Sequence, residues 1–300
     1  MVPEYRSSDS PLRVHLRTRG YPRELDYDFI GVSPDRFWWR YYQKNEWTDV
    51  EKAVILAESD DDGWRIYLQG LESRRRDYDN TVIMFGVVLS APRNEPLDSR
   101  ERAFVLGLVA RWLADIAEPT EYAVGAQRLD ELLSAEEADR LCAERGTEAA
   151  ERAEEIVRVA FAEFATDVPA SPDMKYVSWI GDISDPRARA AFLARIAAFV
   201  DGTRGRALVL THVENEHDVT GLLAQRTGGV AVLAARKSRT PFTGVRELAG
   251  KGTTPRPPVP GPTPQPTVRK VLIAISIVLL VGLLVWVIWT LVGTNSSPSR

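Results

Sequence analysis

Residues 271–292 read VLIAISIVLLVGLLVWVIWTLV, an uncharged run of 22 residues whose only polar side chains are Ser276 and Thr290. At about 1.5 Å per residue a helix of this length covers roughly 33 Å, enough to cross a hydrocarbon core of about 30 Å. The two hydroxyls can bond back to a carbonyl one turn earlier, so neither needs a partner in lipid. Core helices rarely run this far without a charge, and the sequence therefore predicts one transmembrane helix. Trp286 and Trp289 lie toward its C-terminal end, where indoles favour the headgroup level.

The flanking charges orient the span. Arg269 and Lys270 abut its N-terminal side, and only Arg300 lies beyond it. The positive-inside rule then places residues 1–270 in the cytoplasm and 293–300 outside the cell membrane. The first twenty residues contain no apolar h-region of a secretory signal. Cys142 is the one cysteine, which excludes an internal disulfide and a cysteine-built zinc site. The expected arrangement is a single-pass tail anchor, with the lipid bilayer as partner of residues 271–292.

Ahead of the span, residues 250–268 (GKGTTPRPPVPGPTPQPTV) hold seven prolines in nineteen positions. Such a linker samples extended polyproline II and spans up to roughly 55–60 Å at about 3.1 Å per residue. It reads as a spacer; PRPPVP is also a weak ligand motif for SH3-like modules.

Residues 1–249 are expected to form a cytoplasmic globular α/β domain. Residues 250–300 carry five bases and no acids, which leaves 33 bases against 42 acids, a net −9, on residues 1–249. A domain this acidic is repelled by phosphodiesters, so general nucleic-acid binding is not expected. Arginine outnumbers lysine 32 to 6, which reads as GC-rich bacterial coding rather than chemistry.

The fold class read from the pattern is mixed α/β (α+β), in three parts. Residues 26–90 predict a β-meander. An apolar run at 53–58 is followed by the turn signal Asp62-Gly63, then by Trp64, Ile66 and Leu68 alternating with polar neighbours, then by the apolar run 81–89. A strand at 27–32 and the aromatic block 37–42 are expected to pack against it. Residues 97–165 switch to helical period. Phe104, Leu108, Trp112 and Ile116 mark one buried stripe, Ser134 with Glu137 opens a second helix, and Ile156, Val159, Ala160 and Phe164 line a third. Residues 176–236 read as a βαβαβ unit, with strands at 176–180, 206–213 and 230–235 and helices at 184–202 and 218–225. Short crossovers imply parallel pairing.

Two constellations carry candidate chemistry. Parallel sheets place ligands beyond the carboxyl ends of their strands. Asp182, in the predicted loop after the first such strand, and His212, Glu214 and His217 after the second, offer hard oxygen and borderline nitrogen ligands for Mg²⁺, Mn²⁺ or Zn²⁺, so a divalent metal or a nucleotide is the candidate cofactor. His212 could equally serve as a general base. The plainer reading is a polar loop with Asp218 as a helix cap, and the spacing HVENEH is not the HExxH zinc pattern. The second constellation is Arg74, Arg75 and Arg76, read as a loop between meander strands. Their guanidinium forks suit phosphate or carboxylate, or simply pair with Asp77 and Asp79. The Asp60–Asp62 run lacks the spaced ligands of a calcium loop. P-loop, GxGxxG, GxSxG and CxxC motifs are absent.

Residues 130–167 carry twelve acids and four arginines, a docking face for a basic partner or the solvated side of amphipathic helices. Three functional classes follow. The leading one is a non-catalytic, membrane-tethered sensor or adaptor with a protein partner. The alternative is a membrane-anchored nucleotide- or metal-binding enzyme with its site in 176–236. The third is self-association through the span or the helices; in the span, Gly282 alone gives no GxxxG pair.

Overall fold

The computed structural model describes residues 10–35, 37–44, 52–168, 176–211, 228–234 and 244–248. Among them no helix is long and apolar enough to cross a membrane; residues 271–292 lie outside this set.

One nine-stranded sheet organises these residues. In chain order its strands are β1 (Arg13–Thr18), β2 (Asp28–Phe29), β3 (Val54–Ser59), β4 (Gly63–Arg76), β5 (Val82–Pro92), β6 (Trp179–Asp182), β7 (Gly205–Leu210), β8 (Gly229–Ala234) and β9 (Val245–Glu247). Their order across the sheet is β2-β1-β5-β4-β3-β7-β8-β6-β9. The meander and the C-terminal unit therefore share a sheet, joined where β3 runs antiparallel to β7 from Val54↔Leu210 to Ser59↔Gly205. Strands β7, β8 and β6 are mutually parallel, and β9 closes that edge antiparallel.

Among the described residues six α-helices accompany the sheet: α1 (Arg40–Lys44), α2 (Ser99–Ala117), α3 (Val124–Leu132), α4 (Ala135–Ala143), α5 (Thr147–Phe161) and α6 (Pro186–Val200). Helices α2 to α6 pack on one sheet face. Trp64, Ile66 and Leu68 of β4 point into that core together with Trp112, Phe161 and Phe192. The alternation read in the sequence thus selects the correct face. On the opposite face Tyr67, Val88, Leu56 and Leu208 form a second apolar layer. The aromatic block closes part of it, with Trp39 stacked on Tyr67 at 4.6 Å and 13°.

Local chemistry explains several termini. Asp98 caps α2 by accepting from the Glu101 N–H at 2.8 Å, and Ser134 caps α4 by accepting from the Glu137 N–H at 3.2 Å. Asp185 accepts from the Arg187 N–H at 2.9 Å and precedes Pro186, whose missing N–H costs nothing at the first helical position. Helix α3 opens at Ala123, which has no capping side chain. Its cap comes from α2 instead, where buried Asp115 accepts from the N–H groups of Val124 (3.1 Å) and Gly125 (2.8 Å).

Several expectations are corrected. The strand expected at 27–32 is only two residues long. Gly31 turns away at φ +72 and sits so close to α5 that a Cβ there would lie 2.3 Å from the Ala150 nitrogen. The strand expected at 176–180 is shifted to Trp179–Asp182, and that expected at 206–213 ends at Leu210. Val159 faces solvent rather than the core, and Phe164 lies in a short 3-10 turn after α5. The helix expected at 218–225 falls outside the described residues.

The acidic helical region is laced with surface ion pairs. Arg140 bridges Glu137 and Glu144, Arg152 bridges Glu137 and Glu155, and Arg128 bridges Glu131 and Glu163. Exposed pairs of this kind add little stability each. They do lower the free negative charge of this surface.

Candidate functional site

Asp182 is the last residue of β6, not part of the loop after it. The register places it level with Ala234 of β8, which in turn stands level with Leu210 of β7. The carboxyl ends of the three parallel strands thus share one edge. The Asp182 carboxylate is buried, and its Oδ1 accepts from the N–H (2.8 Å) and hydroxyl (2.7 Å) of Ser184. These bonds shape the turn that delivers Asp185 to the start of α6. His212, Glu214 and His217 lie outside the described residues. Among the described residues no three His, Cys, Asp or Glu side chains gather as a metal site.

Arg74, Arg75 and Arg76 form the end of β4, not a loop. The strand reaches this far because it is bulged, with register shifts at Gln69/Leu71 and Glu72/Arg76 and a positive φ of +89 at Gly70. Arg75 is turned inward. It donates to the Thr18 hydroxyl at 2.8 Å and the Arg19 carbonyl at 3.2 Å, lies 3.5 Å from Asp130, and covers the Phe85 ring. Burial lowers its pKa, opposed by Asp130. Asp130, on α3, also accepts from the Ser73 hydroxyl, the Arg74 N–H and the Tyr122 hydroxyl. Arg74 lies over the Tyr122 ring at 4.0 Å. Neither Asp77 nor Asp79 pairs with Arg75; Asp77 binds Arg19 at 2.8 Å. Arg75 and the Arg74 backbone therefore help dock α3 on β4, while Arg76 is exposed at the end of the strand. Cys142 is half-buried, and burial raises its thiol pKa to about 11, which keeps it protonated and unreactive at neutral pH.

A third place was not anticipated. A groove of about 710 Å³ runs along the ends of β1, β5 and β4, between the loop at 32–35 and helix α5. Its walls include Val32 and Asp35 on the loop, Trp38, and Glu151 and Glu154 on α5. His15 of β1 stands in it, with Nδ1 3.1 Å from the Val32 carbonyl. A carbonyl only accepts, so Nδ1 carries the proton and Nε2 is the acceptor. Burial lowers the His15 pKa, against the Val32 bond and the charges of Glu154 and Asp35, which raise it. The ring is therefore neutral at pH 7. The sequence signal was the alternation Arg13-Val14-His15-Leu16-Arg17, in which a histidine takes the polar face of a strand.

A folded-state pKa below the unfolded value of about 6.5 makes stability rise with pH. The contribution of His15 is fully present above pH 6.5 and is lost as the pH falls below it toward the lowered folded value. His15→Gln is expected to flatten the pH dependence of urea unfolding between pH 7 and 5. An unchanged slope would show that the ring does not titrate as described.

No family model matches the chain, and no curated protein or solved structure matches it.

Proposed function

We propose that this chain is a single-pass, tail-anchored membrane protein that presents its α/β domain to the cytoplasm on a proline-rich stalk, as a non-catalytic adaptor for a protein partner. The observation that carries the reading is the uncharged 22-residue run at 271–292 directly behind Arg269 and Lys270 and the seven prolines of 250–268. The stalk suits a net-acidic domain, which it holds away from an anionic leaflet. Asp182 and Arg75 support the adaptor class over a catalytic one, because the Asp182 Oδ1 and the Arg75 guanidinium are engaged in holding a turn and a helix.

The full chain expressed in bacterial cells is expected to resist alkaline carbonate extraction, and a variant ending at residue 268 is expected to be released. Protease added outside intact spheroplasts is expected to leave residues 1–249 uncut. Carbonate release of the full chain would overturn the tether, and external cleavage of the domain would overturn the orientation.

The competing reading is a nucleotide or divalent metal held at the carboxyl edge of β6, β8 and β7. It is favoured by the shared register of Asp182, Ala234 and Leu210. A ligand at 100 times its dissociation constant stabilises by about 2.7 kcal/mol. A thermal shift with Mg²⁺-nucleotide that disappears in both Asp182→Ala and His212→Ala would select this reading over the adaptor.

A further inference from the structure

The groove beside His15 carries two opposite charges that do not meet. Arg13 and Asp35 both line it, and both are exposed. Both act on the His15 ring, Asp35 raising its pKa and Arg13 lowering it, so the two charges flank the imidazole. Among the described residues neither side chain has a hydrogen bond or an ion pair, and they do not pair with each other. The other charges of the groove are engaged. Glu154 is held by Arg158 at 2.8 Å, and Glu151 and Asp62 have interactions of their own. Arg65 is held by Glu58 and Asp60 at 2.8 and 3.0 Å.

Neutral polar groups extend each charge. Arg13 is the in-register partner of Ser90 across β1 and β5, which sets the Ser90 hydroxyl beside it on one sheet face. Guanidinium and hydroxyl both donate. The loop that carries Asp35 also supplies the Val32 carbonyl that takes the His15 Nδ1 proton. The His15 Nε2 is thereby left as an acceptor, like the Asp35 carboxylate. Half-buried Trp38 and Val32, 43% exposed, add apolar wall. The volume of about 710 Å³ lies in the range of small-molecule sites, roughly 300–1,000 Å³, and admits the largest amino-acid side chains.

We infer that this groove binds a free α-amino acid with an aromatic side chain, its carboxylate on Arg13 and Ser90, its ammonium on Asp35 and His15, and its ring against Trp38. A zwitterion answers both charges at once. A simple anion meets Asp35 as a like charge, and a simple cation meets Arg13. An aromatic ring gains both burial and ring contact at the indole. The inference goes beyond the adaptor reading and does not depend on the membrane tether; binding without turnover makes the domain a sensor.

The test is isothermal titration calorimetry on the full chain in dodecyl maltoside micelles, with L-phenylalanine, 2-phenylethylamine and 3-phenylpropionate. The second compound lacks the carboxylate and the third lacks the ammonium. L-Phenylalanine is expected to bind saturably, and each analogue at least about tenfold more weakly. Arg13→Gln and Asp35→Asn change exposed side chains and are expected to leave the melting temperature of the ligand-free protein unchanged. Arg13→Gln is expected to bind L-phenylalanine no better than 2-phenylethylamine, and Asp35→Asn no better than 3-phenylpropionate. The three compounds on the unaltered chain decide the chemistry by themselves. No binding of L-phenylalanine up to about 10 mM, or an analogue that binds as tightly, would overturn the inference. Selectivity that survives in both variants would overturn the assignment to this groove. Carbonate release of the full chain would overturn the tether and leave each of these results unchanged.

Discussion

Replacing Asp130 by alanine is expected to lower the unfolding free energy of the domain by about 3–5 kcal/mol, as removal of one member of a buried pair does. The Asp130 side chain is 11% exposed and that of Arg75 is 9% exposed, so solvent screens them little. Asp130 is the point where four groups of other segments converge: the Ser73 hydroxyl at 2.6 Å, the Arg74 N–H at 2.7 Å, the Tyr122 hydroxyl and the Arg75 guanidinium. Its loss leaves a buried guanidinium without its carboxylate and unfastens α3 from β4. Arg75→Met in the same background is expected to recover part of the loss, because it removes the orphaned charge while keeping an apolar stem over Phe85. Urea unfolding of both variants measures this. A loss below about 1 kcal/mol would mean that the pair behaves as an exposed one.

The second large effect is expected at Glu58, where Glu58→Ala should also cost about 3–5 kcal/mol. Glu58 is buried in β3. Its cross-strand neighbours are Arg65 of β4 on one side and Arg206 of β7 on the other. Arg65 donates to Oε2 at 2.8 Å, and the Tyr42 hydroxyl donates to Oε1 at 2.7 Å. Burial raises the Tyr42 pKa first, with Glu58 adding to the rise and Arg206 opposing it, so the phenol remains a donor at all working pH values. The carboxylate thus holds together the meander, the C-terminal unit and α1. Glu58→Gln keeps the shape and one acceptor, and is expected to cost less than the alanine variant. Equal losses for the two would show that the charge contributes and the hydrogen-bond geometry does not.

The legible parts of the fold are those whose cause is local. Strands β3, β4 and β5 carry their alternation or apolar run in adjacent residues, and α4 carries its own cap at Ser134. Strand β1 alternates in the same way, but RVHLRT is short and its polar positions resemble a charged loop, so no strand is read there. Helix α3 is not legible from its own sequence because its cap, Asp115, lies on another helix. The arginine run reads as a loop in sequence because its polarity is satisfied by Asp130, more than fifty residues away, and because bulges extend β4 past the point where its alternation fades. The candidate site shows the same division. Asp182 was rightly placed near the carboxyl end of a parallel strand, although inside it. The groove at His15 draws its walls from five separate segments, and no window of sequence contains it.

The β3–β7 seam sets an order on synthesis. Val54 and Leu210 are in-register partners, yet more than 150 residues of chain separate them. All six residues of β3 are buried in the finished sheet. Until β7 leaves the ribosome, the nascent domain carries β3 as an open, apolar edge of the kind that recruits foreign strands. Closing so distant a pair is slow, because the loop entropy is lost before the contact is gained. The domain is thus most exposed to misassembly during a long interval of its own translation, and chaperone engagement at β3 would be timed by the arrival of Gly205.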